Sequence, residues 1–263
     1  MSGIVRKILI GCVVLFTLGF ALQSSYAAID PNTIVAAYTF EEGEGEEVRD
    51  ISGNGNDGMF LGNPKWVDGK FGTALDFKSL GDVVHIPEFG LVAPQKEATI
   101  TFWTELADTQ DCDILSFDPL DGANRITIHF PWGNGVVWQH GTDQHFAGGG
   151  MPKDTLNNWE FWAFIGSTRG NYLRILRNME EFDLREDTAT AKPAFVASEQ
   201  TWSIGGRQGS SYSGIIDEVG VFEAALSDED LTEIMENGLE ITAFAVHPSE
   251  KMTTTWGKIK RKN

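Results

Sequence analysis

The segment that decides the fold is AYTFEEGEGEEVRDISGNGNDGMFLGNPKWVDGKFGTALDF, residues 37–77. Within it, residues 53–58 read GNGNDG and match the G-x-G-x-x-G pattern of dinucleotide-binding loops. That pattern binds a pyrophosphate through the helix that follows it, whereas Pro64 and several glycines follow here and exclude a helix. The acidic residues between positions 41 and 57 also repel a phosphate and attract a cation. The loop is therefore a plain turn or part of a cation site.

The rest of the chain shows short apolar or alternating segments separated by turn residues. In the clearest one, Ile100 and Phe102 alternate with Thr99 and Thr101 at the period of two that is typical of a strand. Strands are predicted at 34–40, 74–77, 82–86, 98–106, 113–117, 125–130, 136–140, 159–167, 172–178, 201–205, 215–222 and 241–246. This succession predicts an all-β fold, either a β-sandwich or a jelly roll.

One short helix is predicted near the C-terminus. Ser227 is a typical N-cap residue, and acidic residues fill the first turn after it. Leu231 and Ile234 lie on one apolar stripe, and Gly238 is expected to end the helix. We interpret it as a surface helix that packs against the sandwich.

The two ends of the chain differ from this domain. Arg6 and Lys7 precede an apolar run over residues 8–22, and Ser25-Tyr26-Ala27 resembles a cleavage site, so residues 1–28 are predicted to be a secretory signal peptide. The apolar run continues well past Cys12, which argues against a lipoprotein anchor there. Residues 247–263 are basic and without periodicity, and we expect a flexible tail. The protein is thus predicted to be secreted or periplasmic.

The net charge and the number of cysteines limit the kinds of binding partner and the cross-links that we expect for this protein. The formal net charge of −18 disfavours nucleic acid and anionic membranes as partners. Once the leader is removed, Cys112 is the single cysteine, so no disulfide forms within the chain, and no transmembrane segment is expected in the mature protein. An exported domain of this kind is suited to oxygen-ligated calcium.

Several motifs together resemble the laminin-G-like domains of the concanavalin A-like lectin/glucanase superfamily. They are residues 38–43 with Asp50, the Ser-Gly-Asn-Gly-Asn loop at 52–56, Trp66 to Gly69, Ala74 to Phe77, ATITFWTEL at 98–106 and SGIIDEVGVFEAALSDEDLTEIMENG at 213–238. The resemblance covers about residues 34–243, and we take 34–246 as the domain. It implies a two-sheet antiparallel jelly-roll β-sandwich with one short C-terminal helix.

The opening loop is the first candidate site. Asp50, Ser52 and Asn54 have the oxygen spacing of the first half of a calcium loop, but Leu61 stands where an EF-hand has its bidentate Glu. The resemblance implies a structural calcium ion between this loop and the Ile-Asp-Glu motif near the C-terminus. The ligands implied are Glu41, Asp50, Asn54 and Asp217, with Asn56 and Glu218 as weaker candidates. The alternatives are a loop that needs no ion and a pair, Asp217 and Glu218, on a solvated face.

The second question is catalysis, because the superfamily includes glycoside hydrolases with an E-x-D-x-x-E motif. Residues 181–186 contain this string, with Glu181 and Glu186 as the candidate carboxylates. The charges around them are typical of an exposed sheet edge, so we predict that the domain is not an enzyme.

The third question is recognition. Aromatic residues in loops stack on sugars, and neighbouring polar groups bind the hydroxyls. The candidates for such a site are Trp132, His140, Arg207 and Tyr212. The sequence therefore predicts an exported, non-catalytic module that binds an extracellular glycan or protein. A laminarinase-type hydrolase and a structural or adhesion domain without a small ligand are the alternatives.

Overall fold

The computed structural model describes residues 29–89, 97–117, 126–132, 135–140, 143–147, 154–182, 200–207 and 210–244. The predicted signal peptide, Cys12, Glu186 and the basic tail lie outside the described residues. Among those described, no helix is long and apolar enough to span a bilayer.

Strands dominate the described chain. They are β1 (Ile34–Tyr38), β2 (Glu47–Val48), β3 (Gly58–Leu61), β4 (Lys65–Asp68), β5 (Thr73–Phe77), β6 (Val83–Phe89), β7 (Glu97–Leu106), β8 (Asp113–Phe117), β9 (Ile126–Trp132), β10 (Gly135–His140), β11 (Asp143–Ala147), β12 (Trp159–Ser167), β13 (Tyr172–Arg177), β14 (Glu180–Glu181), β15 (Gln200–Ile204), β16 (Gly206–Arg207), β17 (Ser210–Ser211) and β18 (Gly214–Phe222). A 3₁₀-helix covers Pro31–Thr33, and α1 covers Asp228–Phe244.

Two eight-stranded sheets form the sandwich. Sheet A has the order β14-β13-β12-β7-β18-β5-β4, and β1 also pairs with β18. Sheet B has the order β11-β10-β9-β8-β15-β6-β3-β2, and the strand pairs of both sheets are antiparallel. The two-sheet antiparallel sandwich expected from the sequence is therefore confirmed. Because β1 pairs with β18, the two ends of the domain meet in sheet A.

Apolar residues fill two layers. The larger cluster lies between the sheets and includes Phe102, Trp138 and Trp202. The second lies between sheet A and α1, where Trp103 and Phe161 meet the apolar side of the helix. The alternation read in β7 is thus confirmed, since its two faces contribute to the two clusters.

The C-terminal helix differs from the prediction after Gly238. This glycine breaks the helix with φ of 79°, as expected, but a second helical segment follows and runs to Phe244. A strand was predicted at 241–246, and its described part is helical instead. Leu239 and Ala243 are four residues apart and both buried against sheet A, so helical packing decides the conformation.

Candidate functional site

The opening loop is organised by Asp50, which is buried. Its Oδ1 accepts hydrogen bonds from the backbone N–H groups of Ala37 and Ser52, both at 3.0 Å, and its Oδ2 accepts one from Asn56 at 3.1 Å. Three peptide N–H groups therefore hydrogen-bond to the two oxygens of this carboxylate without an ion. Asp50 therefore fixes the shape of the loop.

The asparagines of the loop bind the first strand. Asn54 donates its side-chain N–H to the carbonyls of Ile34 and Val35, at 2.8 and 3.0 Å, and Asn56 donates to Val35 at 2.9 Å. Gly55 has φ of 81°, the left-handed turn conformation that its Asn-Gly sequence predicts. The loop thus closes on β1 by direct hydrogen bonds.

A second group of carboxylates holds the turn between β4 and β5. Asp217 in β18 accepts hydrogen bonds from the N–H groups of Lys70 and Phe71 at 2.9 and 3.1 Å, and Glu41 accepts one from Thr73 at 3.1 Å. A Cβ on Gly72, whose φ is +53°, would lie 2.1 Å from the Glu41 carboxylate. The turn therefore needs glycine there to let Glu41 approach.

Glu218 completes this second group, and we call its two members in β18, Asp217 and Glu218, the β18 carboxylate pair. Both residues are buried, so they do not lie on the solvated face proposed as an alternative. Glu218 accepts a hydrogen bond from the N–H of Leu239, which begins the second segment of α1. Burial, with the charge of Glu41, raises the pKa of Asp217 to about 7. Burial, followed by the charges of Asp217 and Glu41, raises the pKa of Glu218 to about 8.

The structure thus divides the four predicted calcium ligands between two places. Asp50 and Asn54 lie in the opening loop, whereas Glu41 and Asp217 lie at the β4–β5 turn. In the described residues, no three His, Cys, Asp or Glu side chains converge closely enough to hold one ion. Three peptide donors use most of the roughly four lone-pair sites of the Asp50 carboxylate, which leaves it little capacity to bind an ion as well. The second group combines the exposed Glu41 with two buried carboxylates, and the repulsion among the three does suit a cation.

The four predicted sugar-binding residues are not gathered into one site. Trp132 pairs with Gly135 at one end of the β9–β10 ladder, and His140 pairs with Ile126 at the other. Arg207 lies in β16, opposite Ser210. Tyr212 belongs to the core between the sheets with none of its surface exposed. Tyr212 is therefore unable to stack on a ligand in solvent, and its hydroxyl instead meets that of Thr104.

The candidate catalytic residue Glu181 lies at the edge of sheet A in β14. Its carboxylate accepts a hydrogen bond from Arg174 at 2.6 Å, and the same guanidinium binds Asp228 at the start of α1, also at 2.6 Å. Glu181 therefore lies on the helix side of the sheet in an exposed ion-pair network. This setting is typical of edge charges, as the sequence indicated.

A further set of residues, all of them polar except Met59, was not identified from the sequence. On the outer face of sheet B, which is turned away from sheet A, one residue of each of seven neighbouring strands occupies the same row. In strand order these residues are Glu47, Met59, His85, Ser203, Ser116, Thr127 and Gln139. We call this set the polar row. Met59 is 55% exposed, His85, Ser203 and Gln139 are half-buried, and Ser116 and Thr127 are buried.

A hydrogen-bonded chain of an acid, an imidazole and an amide ends at Gln139 of the polar row. The Nδ1 of His129 is hydrogen-bonded to Asp113, and its Nε2 lies 2.9 Å from the Oε1 of Gln139. Asp113 and His129 are almost fully buried. Cys112 is also buried, and burial, with the charges of Asp113 and Asp111, raises the pKa of its thiol. In the sequence, Asp113, His129 and Gln139 appear only as single polar residues within apolar strands. Their proximity becomes visible only when the register of the strands is known.

Comparison with known families identifies the domain. A laminin G family model, described as the concanavalin A-like lectin/glucanases superfamily, matches residues 78–232. The chain belongs to this superfamily. The resemblance read from the opening and closing motifs is therefore confirmed. A search of curated proteins gives no match.

Solved structures show the same fold. Domain 4 of AbnA, a GH43 extracellular arabinanase from Geobacillus stearothermophilus in complex with arabinotriose, is 19% identical with a TM-score of 0.59, over 77% of this chain and 98% of that one. The receptor binding domain of botulinum neurotoxin D is 12% identical with a TM-score of 0.57, over 80% and 54%. A Trypanosoma rangeli sialidase is 10% identical with a TM-score of 0.54, over 77% and 32%. At these identities the likeness shows the superfamily fold alone.

Proposed function

We propose that this protein is an exported, non-catalytic recognition module that binds an extracellular carbohydrate or protein. One observation carries the proposal. The outer face of sheet A is apolar where α1 packs against it, whereas the outer face of sheet B carries the polar row. A sheet face turned to solvent is ordinarily polar, and a ligand site on such a face is formed where polar groups such as His85, Ser203 and Gln139 converge.

The structural neighbours support a binding role. The arabinanase domain was solved with arabinotriose, and several botulinum neurotoxin neighbours are named as binding or receptor binding domains. Recognition of either sugar or protein on this fold is thus within the range of the similar structures. Export is supported by the basic and apolar segments at the start of the sequence.

The absence of catalysis is supported by the setting of Glu181. Glycoside hydrolysis with two carboxylates requires both to flank one sugar bond. Glu181 instead binds Arg174, and it lies on the helix side of sheet A, away from the polar row. We expect no release of reducing ends from β-glucan by the protein, and the same result for Glu181→Gln.

Calcium is part of the proposal, with Glu41 and the β18 carboxylate pair as its side chains. The support is electrostatic, because a cation would offset the repulsion among these carboxylates. The carboxylates would have to draw closer together to share one ion. Saturating calcium at a hundred times its dissociation constant would stabilise the fold by about 2.7 kcal/mol. A thermal melt with EDTA and with millimolar calcium tests this, and Asp217→Asn should abolish the difference.

The binding role is tested with the full chain, expressed with its leader and purified. It is applied to an array of neutral and acidic glycans that includes arabinotriose, and it is used as bait for extracellular proteins. We expect specific glycan binding, or specific capture of one protein. A protein that binds nothing in either assay would contradict recognition, and turnover of a glycan on the array would favour the hydrolase.

A further inference from the structure

Asparagines that precede glycine are chemically reactive, and the chain contains three of them. In such a pair the backbone nitrogen of the glycine attacks the side-chain amide carbon of the asparagine, and the missing glycine side chain leaves the approach open. The pairs are at residues 54–55, 134–135 and 237–238. Asn134 lies outside the described residues, so the structure compares the other two pairs, and it gives them different settings.

The pair Asn54-Gly55 has its reacting atoms open to solvent. Both residues are exposed, and Gly55 has φ of 81°. Among the described residues, none accepts a hydrogen bond from the N–H of Gly55, and a Cβ on this residue would meet nothing within 4 Å. Base in the solvent is therefore able to remove the proton of this nitrogen, and no neighbouring group shields it. The Oδ1 of Asn54 likewise accepts no hydrogen bond from the described residues, so the amide carbon is held only through its NH₂ group.

The pair Asn237-Gly238 is exposed at its asparagine but differs in backbone structure. Asn237 has helical backbone angles in α1, where the i to i−4 hydrogen bonds hold successive peptide units in place. Its side chain also donates a hydrogen bond to Glu233 at 2.9 Å. A nitrogen that is fixed in a helix does not turn toward the preceding side chain, so this pair is expected to react more slowly than Asn54-Gly55.

Loss of the amide at Asn54 has a structural consequence. Its NH₂ group donates to the carbonyls of Ile34 and Val35, at 2.8 and 3.0 Å, and so closes the opening loop on β1. A carboxylate in its place only accepts hydrogen bonds, and it would face two carbonyl oxygens. The cavity beside it, of about 300 Å³, is also lined by Glu223, a second negative charge. The reaction therefore replaces two hydrogen bonds with repulsion at the edge of β1.

We propose that Asn54 is a modification site at which spontaneous deamidation releases the opening loop from β1. The nitrogen of Gly55 forms a bond to the Cγ of Asn54, the bond from Cγ to the side-chain nitrogen breaks, and that nitrogen leaves as ammonia with the proton lost by Gly55. Water then opens the cyclic imide at either carbonyl and gives aspartate or isoaspartate at position 54. The polar cavity gives water access to this imide. The modification does not depend on the recognition function proposed above.

The first experiment measures the reaction in the folded protein. The full chain, expressed with its leader and purified, is incubated for weeks in mildly alkaline buffer, and peptide mapping by mass spectrometry follows each asparagine. We expect aspartate and isoaspartate to accumulate at position 54 at least about tenfold faster than at position 237. Gly55→Ala should slow the reaction at Asn54 at least about tenfold, because a Cβ next to the attacking nitrogen obstructs it.

The second experiment measures the consequence for the fold. Anion exchange separates the deamidated protein, which carries one more negative charge, from the intact protein. The deamidated fraction should melt about 5 °C lower, because two hydrogen bonds to β1 are lost. Asn54→Asp reproduces one product and should melt lower to a similar extent. Asn237→Asp is the matched control, because it adds the same charge at an exposed position of α1, and it should melt within about 2 °C of the wild type.

The outcomes separate the modification from its effect. Equal rates at Asn54 and Asn237, or a reaction at Asn54 only after unfolding in urea, would overturn the modification site. A deamidated fraction that melts like the intact protein would overturn the release of the opening loop. If the Asn54→Asp protein does not fold, the deamidated fraction of the wild type and the variant Asn54→Ser, which lacks the amide but adds no charge, decide the same question.

Discussion

The two outer faces of this sandwich differ in how their side chains are packed and bonded. On sheet A, Trp103 and Phe161 pack against Leu231 and Ile234 of α1, and the buried Asp217 is hydrogen-bonded to peptide N–H groups. On sheet B, Ser116 is hydrogen-bonded to Thr127, and His129 is hydrogen-bonded to Asp113 and Gln139 on the two neighbouring strands. Two sheets with the same number of strands therefore differ in the residues on their outer faces. One face packs against α1, and the other carries the polar row, which we propose as a binding surface.

The largest effect is expected on the face of sheet A. Leu231 is fully buried between α1 and the sheet, so Leu231→Ala should lower the free energy of unfolding by about 3 kcal/mol through lost contacts and a cavity. Ile241→Ala is the matched control, because this residue is on the same helix and 63% exposed. Urea denaturation measures both. Equal losses would show that α1 does not depend on its buried face, while glycan binding should be unchanged in both variants.

The next effect is a pH dependence of stability from the β18 carboxylate pair. Folding raises the pKa of Asp217 to about 7 and that of Glu218 to about 8, whereas unfolded carboxylates titrate near 4. Between these values the folded state binds more protons than the unfolded state. The free energy of unfolding should therefore fall, by about 2 kcal/mol or more, as the pH rises from about 5 to 8.

Melts at several pH values without calcium check this slope. The double variant Asp217→Asn with Glu218→Gln should be much less sensitive to pH in the same window, because neither side chain titrates. A variant as sensitive as the wild type would assign the slope to the overall negative charge. In millimolar calcium, the wild-type slope should become shallower, since the ion competes with the protons for these carboxylates.

A smaller loss of stability is expected from substitutions near the β4–β5 turn, which Glu41 and Asp217 hold by hydrogen bonds. Gly72→Ala should destabilise the protein by about 2 kcal/mol, because φ is +53° and the new Cβ would displace Glu41. Gly45 also has positive φ, of +87°, but a Cβ there meets nothing within 4 Å. Gly45→Ala should therefore cost about 1 kcal/mol, and thermal melts give the difference. If the two variants melt alike, close approach of Glu41 does not matter to stability.

These features differ in how far the sequence could predict them. Local signals were sufficient for strands such as β7 and for the start of α1 at Ser227, where period and capping residues coincide. The helical segment after Gly238 was missed because Leu239 is held by Glu218, which is distant in the chain. Tyr212 was misplaced because a Gly- and Ser-rich neighbourhood suggests a loop, while tertiary packing buries the ring.

The candidate sites depended on long-range register even more. Asp50 and Asp217 were both recognised as important, yet only the fold shows that each holds a different turn. The polar row is built from isolated residues of strands that are far apart in the chain. No local pattern joins His85, Ser203 and Ser116, because their proximity arises from the order of strands in sheet B.

The smallest effect on stability is expected from a substitution on the outer face of sheet B. It gives the most direct test of the difference between the two outer faces. Ser203 is half-buried in the polar row, so Ser203→Ala should change the free energy of unfolding by less than about 0.5 kcal/mol. The same variant should lose about threefold in affinity for the glycans that the wild type binds. Denaturation and titration of one protein sample give both values. A variant that loses stability and keeps its affinity would make this face a structural surface like that of sheet A, since recognition predicts the reverse.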